Sequence, residues 1–244
     1  MDDAYRDDLA FIHDGGFGHF ARGAAPLLLD ELRRRGVDRG LVVELGCGSG
    51  ILSEQVAAGG FNVLGIDISP AMVALARQRV PGGSFRVESL LTAELPPCVA
   101  VVAIGECFNF LFDSTHSWEG VRQVLRRAFE ALAPVGVLLF DADEPGRVPG
   151  PGPSRTWAEG DGWAVLVTAE EDRQHGLLTR QITSFRRVGE LYRRDHEVHR
   201  LQLLPHTQVV SWLEAIGFQV QLLASYGPMP LSPGYVGFLA RKPG

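Results

Sequence analysis

No apolar stretch in these 244 residues reaches the roughly 18–20 that a helix needs to cross a bilayer, so no membrane contact is expected. The chain begins Met1-Asp2-Asp3, acidic where a secretory leader would be basic, and the expectation is a cytoplasmic protein. Cysteine is scarce. Cys47, Cys98 and Cys107 are odd in number and far apart, which argues against a disulfide framework and gives no zinc-ligand spacing. No metal site is expected. A net positive charge is missing too: at a formal −6 the chain has no overall basic field to hold a phosphate backbone, so nucleic acid is not an expected partner. The local clusters Arg33-Arg34-Arg35, Arg126-Arg127 and Arg193-Arg194 read as solvated faces. Internal repeats and low-complexity tracts are also absent.

With 45% hydrophobic and 21% charged residues, the chain has material for one sizeable core, and one elaborated α/β domain over 1–244 is the economical reading. The most informative segment is Val42-Val43-Glu44-Leu45-Gly46-Cys47-Gly48-Ser49-Gly50-Ile51, an apolar run ending in an acid and three alternate glycines. A strand there runs into bare backbone, followed by a helix from Ile51 to Ala58 whose first N–H groups face any ligand on the loop. The dinucleotide fingerprint requires glycine or alanine where this chain has Ile51, which counts against NAD. A second apolar run, Phe61 to Ile66, ends in Asp67, placed to accept both hydroxyls of an adenosine ribose. The sequences Glu44 to Gly50 and Gly65-Ile66-Asp67-Ile68-Ser69 resemble the first two motifs of class I S-adenosylmethionine-dependent methyltransferases.

Along the chain, Pro26 to Arg35 reads as a helix, Ser69-Pro70 opens another to about Arg79, and Phe85 to Glu88 is a short strand. Val99 to Ile104 has the continuous apolar character of a buried parallel strand; the helix Trp118 to Leu132 and the strand Val135 to Phe140 follow. Pro145 to Pro153 then holds four prolines and three glycines in nine residues, which breaks the alternation. Trp163 to Glu170, Leu177 to Arg186 and Leu191 to Leu203 alternate polar and apolar residues as an antiparallel meander. A helix from His206 to Ile216, a strand to Leu223 and a last strand Tyr235 to Arg241 close the chain. The expected fold is α/β, a Rossmann-like seven-stranded, mostly parallel sheet with a reversed C-terminal strand. The arm is inserted after the fifth strand. Cap helices occupy 1–40, the core 41–145 and 204–244, and the arm 146–203.

The resemblance implies S-adenosyl-L-methionine as cofactor and a small-molecule methyl acceptor with an N or O nucleophile. It assigns cofactor contacts to Tyr5, Arg22, Glu44, Gly46, Cys47, Gly48, Asp67, Ile68, Met72, Ser89, Leu90 and Gly105. Glu88 becomes a partner for the adenine amine, and Arg22 for the cofactor carboxylate. The loop Gly105-Glu106-Cys107-Phe108-Asn109 lacks the Asp/Asn-Pro-Pro-Tyr of base and amide methylases, and offers Glu106 and Asn109 to a substrate. In the arm, strand alternation turns Asp195, Glu197 and His199 to one face and Arg194, His196 and Val198 to the other. A Glu-x-His near the end of such an arm is similar to glycine/sarcosine N-methyltransferase-like enzymes, so His199 and Glu197 join the candidate catalytic residues. Tyr5 to Arg22 is rich in aromatic residues and glycine and too irregular for one long helix. A monomer or homodimer is expected.

An NAD(P)-dependent oxidoreductase and a binder of S-adenosylmethionine without transfer remain the rivals, because cofactor motifs report binding only. In calorimetric titration the protein is expected to bind S-adenosylhomocysteine stoichiometrically and NAD not at all. Tighter binding of NAD would overturn the cofactor assignment.

Overall fold

The computed structural model describes residues 5–244. Two helices lead, α1 (Asp7–Gly16) and α2 (His19–Arg34). Then come β1 (Leu41–Leu45), α3 (Ile51–Ala58), β2 (Asn62–Asp67), α4 (Pro70–Arg79), β3 (Ser84–Val87), β4 (Cys98–Ala103), α5 (Trp118–Ala131) and β5 (Leu132–Asp143). The inserted strands are β6 (Ser154–Gly160), β7 (Trp163–Asp172), β8 (Leu177–Val188) and β9 (Leu191–Gln202). The chain ends with α6 (His206–Ile216), β10 (Gln219–Leu223), the two-residue strands β11 (Ser225–Tyr226) and β12 (Met229–Pro230), and β13 (Tyr235–Arg241).

The seven-stranded sheet has the order β10-β13-β5-β4-β1-β2-β3. Its β1, β2, β3, β4 and β5 pair in parallel, while β13 runs antiparallel to both β5 and β10. Successive side chains point to opposite faces and helices cover both, so the central strands are largely apolar. Val42, Ala100, Val102 and Leu139 pack under Leu28 and Leu32 of α2 and Leu52 and Val56 of α3. Val43, Leu45, Val101 and Phe140 pack under Val124 and Leu125 of α5 and Leu213 of α6. The strand order reverses between β1 and β4, and in open α/β sheets ligands collect at that point, beyond the strands' carboxyl ends.

The arm is a separate antiparallel sheet of four strands, β6-β7-β8-β9, one more than the sequence predicts. The missed strand, β6, begins right after the proline cluster. It pairs only with β7 and exposes Arg155, Thr156 and Trp157, so it carries no buried apolar stripe to read. The N-terminal segment also exceeds expectation. It forms α1, whose Leu9 and Ile12 pack on Val165 and Ile182 of the arm. The second helix begins at His19, well before Pro26, because Ala24 and Ala25 are buried against the core and offset the hydrogen bond that an internal proline forfeits.

Asn109 joins arm to core. Its Nδ2 donates to the carbonyls of Asp143 (3.0 Å) and Gln202 (2.8 Å), and its Oδ1 accepts from Asp143 N at 3.1 Å. The amide is wholly buried and fully engaged, which corrects its reading as a substrate contact. Leaving these buried backbone groups unpaired costs about 1–3 kcal/mol each. Asn109→Ala is therefore expected to lower stability by about 2–4 kcal/mol in urea unfolding; a loss under 0.5 kcal/mol would refute the tie.

Candidate active site

A cavity of about 470 Å³ lies where the carboxyl ends of the core strands face the inner side of the arm. Its core wall begins with the loop after β1. Gly46 and Gly48 have φ of +66° and +50°, which side-chain-bearing residues rarely adopt. A Cβ at Gly46 would sit 2.4 Å from the Cys107 sulfur, whereas one at Gly48 would meet nothing within 4 Å, so bare backbone faces open space there. Ser49 Oγ is buried on this wall with no hydrogen-bond partner among the described residues. The arrangement fits a nucleotide-like cofactor, with one polar atom left over for it.

Asp67, at the end of β2, accepts from Gly48 N and Ser69 N, each at 2.8 Å. A carboxylate has about four lone-pair positions, so two remain for vicinal ribose hydroxyls. Burial raises its pKa, opposed by these N–H groups. Ile68, Met72, Ser89 and Leu90 continue the wall. Glu88 does not line it. The carboxylate beside Ser89 is instead Asp113, hydrogen-bonded to the Ser89 hydroxyl. Glu44 lines the cavity and accepts from the Ser53 hydroxyl.

At the far end lies the loop after β4. Asp141 Oδ1 accepts from Gly105 N (2.8 Å) and Glu106 N (2.7 Å), and the hydroxyls of Tyr226 and Tyr235 also donate to Asp141. These bonds hold Glu106 at φ +46°. Its carboxylate meets Arg180 at 2.6 Å, and Arg180 reaches on to Asp143, also at 2.6 Å. Burial alone would raise the Glu106 pKa, but Arg180 outweighs it and holds the group below the usual range. Burial pushes Asp141 up to about 7.

His199 lies on the arm wall, almost fully buried. Rings of Phe112, Tyr5 and Phe110 surround it at 4.8, 4.9 and 5.8 Å between centroids. Its Nε2 is 2.9 Å from Glu197 Oε2. Glu197 shares the buried face, as alternation predicts, but it does not line the cavity. It accepts from Tyr5 N and Arg6 N, each at 2.9 Å, just ahead of α1.

Of the sequence-predicted residues, Tyr5, Glu44, Gly46, Cys47, Gly48, Asp67, Ile68, Met72, Ser89, Leu90, Gly105, Glu106 and His199 meet in this one cavity. Arg22, Asn109 and Glu197 do not line it. The Arg22 guanidinium folds back along α2 onto Gly18. Sequence reasoning missed Arg180, although it sits directly opposite His199 in the β8–β9 register, where pairing the strands would have found it. It also missed His13, whose ring lies 5.2 Å from Tyr5 and whose buried Nδ1 has no hydrogen-bond partner among the described residues. Burial lowers the His13 pKa to about 4, so it is neutral at pH 7.

Burial raises the Glu44 carboxyl from 4.5 to about 8, against the hydrogen bond from Ser53. A group whose folded pKa exceeds its unfolded value stabilises fully below the unfolded pKa and loses that contribution as pH rises through the folded one. Without cofactor, the melting temperature of the wild type is expected to fall relative to Glu44→Gln as pH rises from 5 to 9. Parallel curves would show that Glu44 ionises as it does in the unfolded chain.

Residues 42–136 match the family described as methyltransferase domain. A Bacillus subtilis relative that bears the name "Putative methyltransferase YqeM" is 27% identical over 193 residues, 75% of each chain. An S-adenosylmethionine-dependent methyltransferase from Clostridium acetobutylicum shares the fold at TM-score 0.80 and 16% identity, over 96% of this chain and 98% of that one. CalS10 of Micromonospora echinaspora, an amino pentose methyltransferase solved with S-adenosylmethionine bound, gives TM-score 0.76 at 21% identity over 99% of both chains. Residues 42–136 thus carry a methyltransferase domain, and the whole chain shares the architecture of S-adenosylmethionine-dependent methyltransferases, with the glycine cradle facing Asp67.

Proposed function

We propose that the enzyme methylates the nitrogen of a small-molecule amine. The observation that carries this reading is Glu106, an anionic carboxylate on the loop after β4, facing a cavity whose other wall is His199 set among aromatic rings. A carboxylate and aromatic faces suit an ammonium group. Arg180 is already engaged by Glu106 and Asp143, and Arg147 by Asp143 at 2.6 Å, so these two cations are committed rather than offered to an anionic acceptor. The amino pentose substrate in the name of CalS10 is of the same chemical kind. This reading also continues the likeness of the arm to glycine/sarcosine-type N-methyltransferases.

S-adenosylmethionine supplies an electrophilic methyl on its sulfonium. The chain must orient the acceptor, exclude water and take up a proton, because an ammonium nitrogen has no lone pair to donate. The Glu106 oxygen that Arg180 does not hold anchors the incoming ammonium. The Glu197 carboxylate can only accept a hydrogen bond, so it assigns the His199 proton to Nε2 and leaves Nδ1 basic. Burial raises the Tyr5 phenol far above its ordinary pKa, so its hydroxyl remains a donor. Closure by α1 and the arm keeps bulk water from competing as the acceptor.

A panel of amino sugars and matched hydroxyl sugars, assayed for S-adenosylhomocysteine formation, tests the acceptor class; turnover with hydroxyl members alone would overturn the amine. With an active amine, His199→Ala is expected to lower turnover roughly 10²–10⁴-fold and leave cofactor affinity within a few-fold. His196, exposed on the opposite face and 3.2 Å from the Thr183 hydroxyl, provides the control, and His196→Ala should be nearly silent. Equal losses at the two positions would remove His199 from the mechanism.

A further inference from the structure

Glu197 is buried, yet the cavity does not use it directly. Its two oxygens hold three donors from two distant parts of the chain. Oε1 accepts from Arg6 N, while Oε2 accepts from Tyr5 N and lies against His199 Nε2. On its other side, the Tyr5 carbonyl accepts from Ser69 Oγ at 3.0 Å, and Ser69 N donates to Asp67. A continuous hydrogen-bonded path thus joins the ribose-facing carboxylate to the histidine, passing through the backbone of Tyr5. Tyr5 itself has φ +49°, a conformation unfavourable for a residue with a side chain, which persists only where the surroundings enforce it. Here Glu197 and Ser69 supply that enforcement, one from the arm and one from the core.

The segment that follows is tied down along its length. Asp8 pairs with Arg186 at 3.2 Å and with Arg193, and Arg6 pairs with Asp195 at 2.7 Å. At the other end of α1, Asp14 pairs with Arg79, whose Nε donates to the carbonyl of Ser49 in the glycine loop at 2.9 Å. The strap therefore contacts the cofactor wall directly at Ser69 and reaches Ser49 through Arg79, and it contacts the acceptor wall through Glu197.

We propose that Glu197 is a positioning residue whose single carboxylate fixes both the closed N-terminal strap and the tautomer of His199, so that cofactor binding assembles the acceptor site. Without strap closure, Glu197 loses the two N–H groups that aim it, and the His199 ring loses the partner that assigns its proton. Such coupling is reciprocal: whatever the cofactor does for the histidine, an acceptor held there does for the cofactor. The proposal rests on the reading of His199 as proton acceptor, but the measurements below stand without that reading.

The test uses the full chain with 15N-labelled histidine and S-adenosylhomocysteine as the probe. In the wild type the probe is expected to leave His199 as the Nε2–H tautomer and to raise hydrogen-exchange protection of residues 5–16 about tenfold or more, within the range of 5–150-fold typical of coupled sites. Glu197→Gln keeps size and burial but places a donor amide among donors. It should give a tautomer mixture at His199 and lose most of the protection gain. Ser69→Ala breaks the path at the opposite end, and it should weaken the response of the His199 signals to the probe while Glu197 is intact. An unchanged His199 tautomer in Glu197→Gln, or a full His199 response in Ser69→Ala, would overturn the proposal. If His199→Ala retained turnover with an active amine, the base reading would fail, and the tautomer and exchange results would still decide the coupling.

Discussion

The buried carboxylate of Asp141, at the end of β5, takes two main-chain N–H groups from the loop after β4 and two tyrosine hydroxyls from the C-terminal part of the chain. The rest of the site follows from that junction. Glu106 holds an unfavourable backbone conformation because Asp141 binds its N–H, and only from there does its side chain meet Arg180 of the arm. Arg180 then reaches Asp143, two residues from Asp141 on the same strand, and Arg147 closes on Asp143 from the loop beyond. An apolar residue at 141 would leave four donors in the interior without an acceptor, a large cost where no water replaces it. The four donors favour the ionised carboxylate, but burial outweighs them and pulls its pKa up to about 7.

Much of the fold was legible because its signals are local. Glycine at 46, 48 and 50 followed by an apolar helix, an acid closing the next strand, and strand alternation through residues 194 to 199 each depend on neighbours within a few positions. The structure places the reversed β13 and the separate arm where the sequence pattern puts them. The site was legible where it lies on those same motifs, as at Asp67, Met72 and Glu106, which all line the cavity.

What the sequence concealed depends on partners far away in the chain. Glu197 faces inward as alternation requires, but its partner is the backbone of Tyr5, 192 residues earlier. Asn109 was read from its place in a loop at the sheet edge, and only the fold brings Gln202 to it. Asp113, rather than Glu88, reaches Ser89 because the chain after β4 loops back over the end of β3. Edge strand β6 escaped for a different reason: with one neighbour and an exposed surface it needs no apolar signature.

The two walls of the cavity come from separate stretches of chain, and they obey different geometric rules. Residues 44–113 supply the nucleotide side largely through turns, where main-chain shape matters and substitution is constrained. The arm supplies its side through pleated strands, where Thr156, Val167 and Ile182 form one inward row and Ser154, Ala169, Arg180 and His199 the next. On such a surface every second residue reaches the interior while its neighbours face solvent. The arm works as a comb whose teeth can be changed singly, without disturbing the turn that grips the nucleotide. Substitutions along the arm rows are thereby separable from the backbone shape of the glycine turn, while Glu106 remains on the core side.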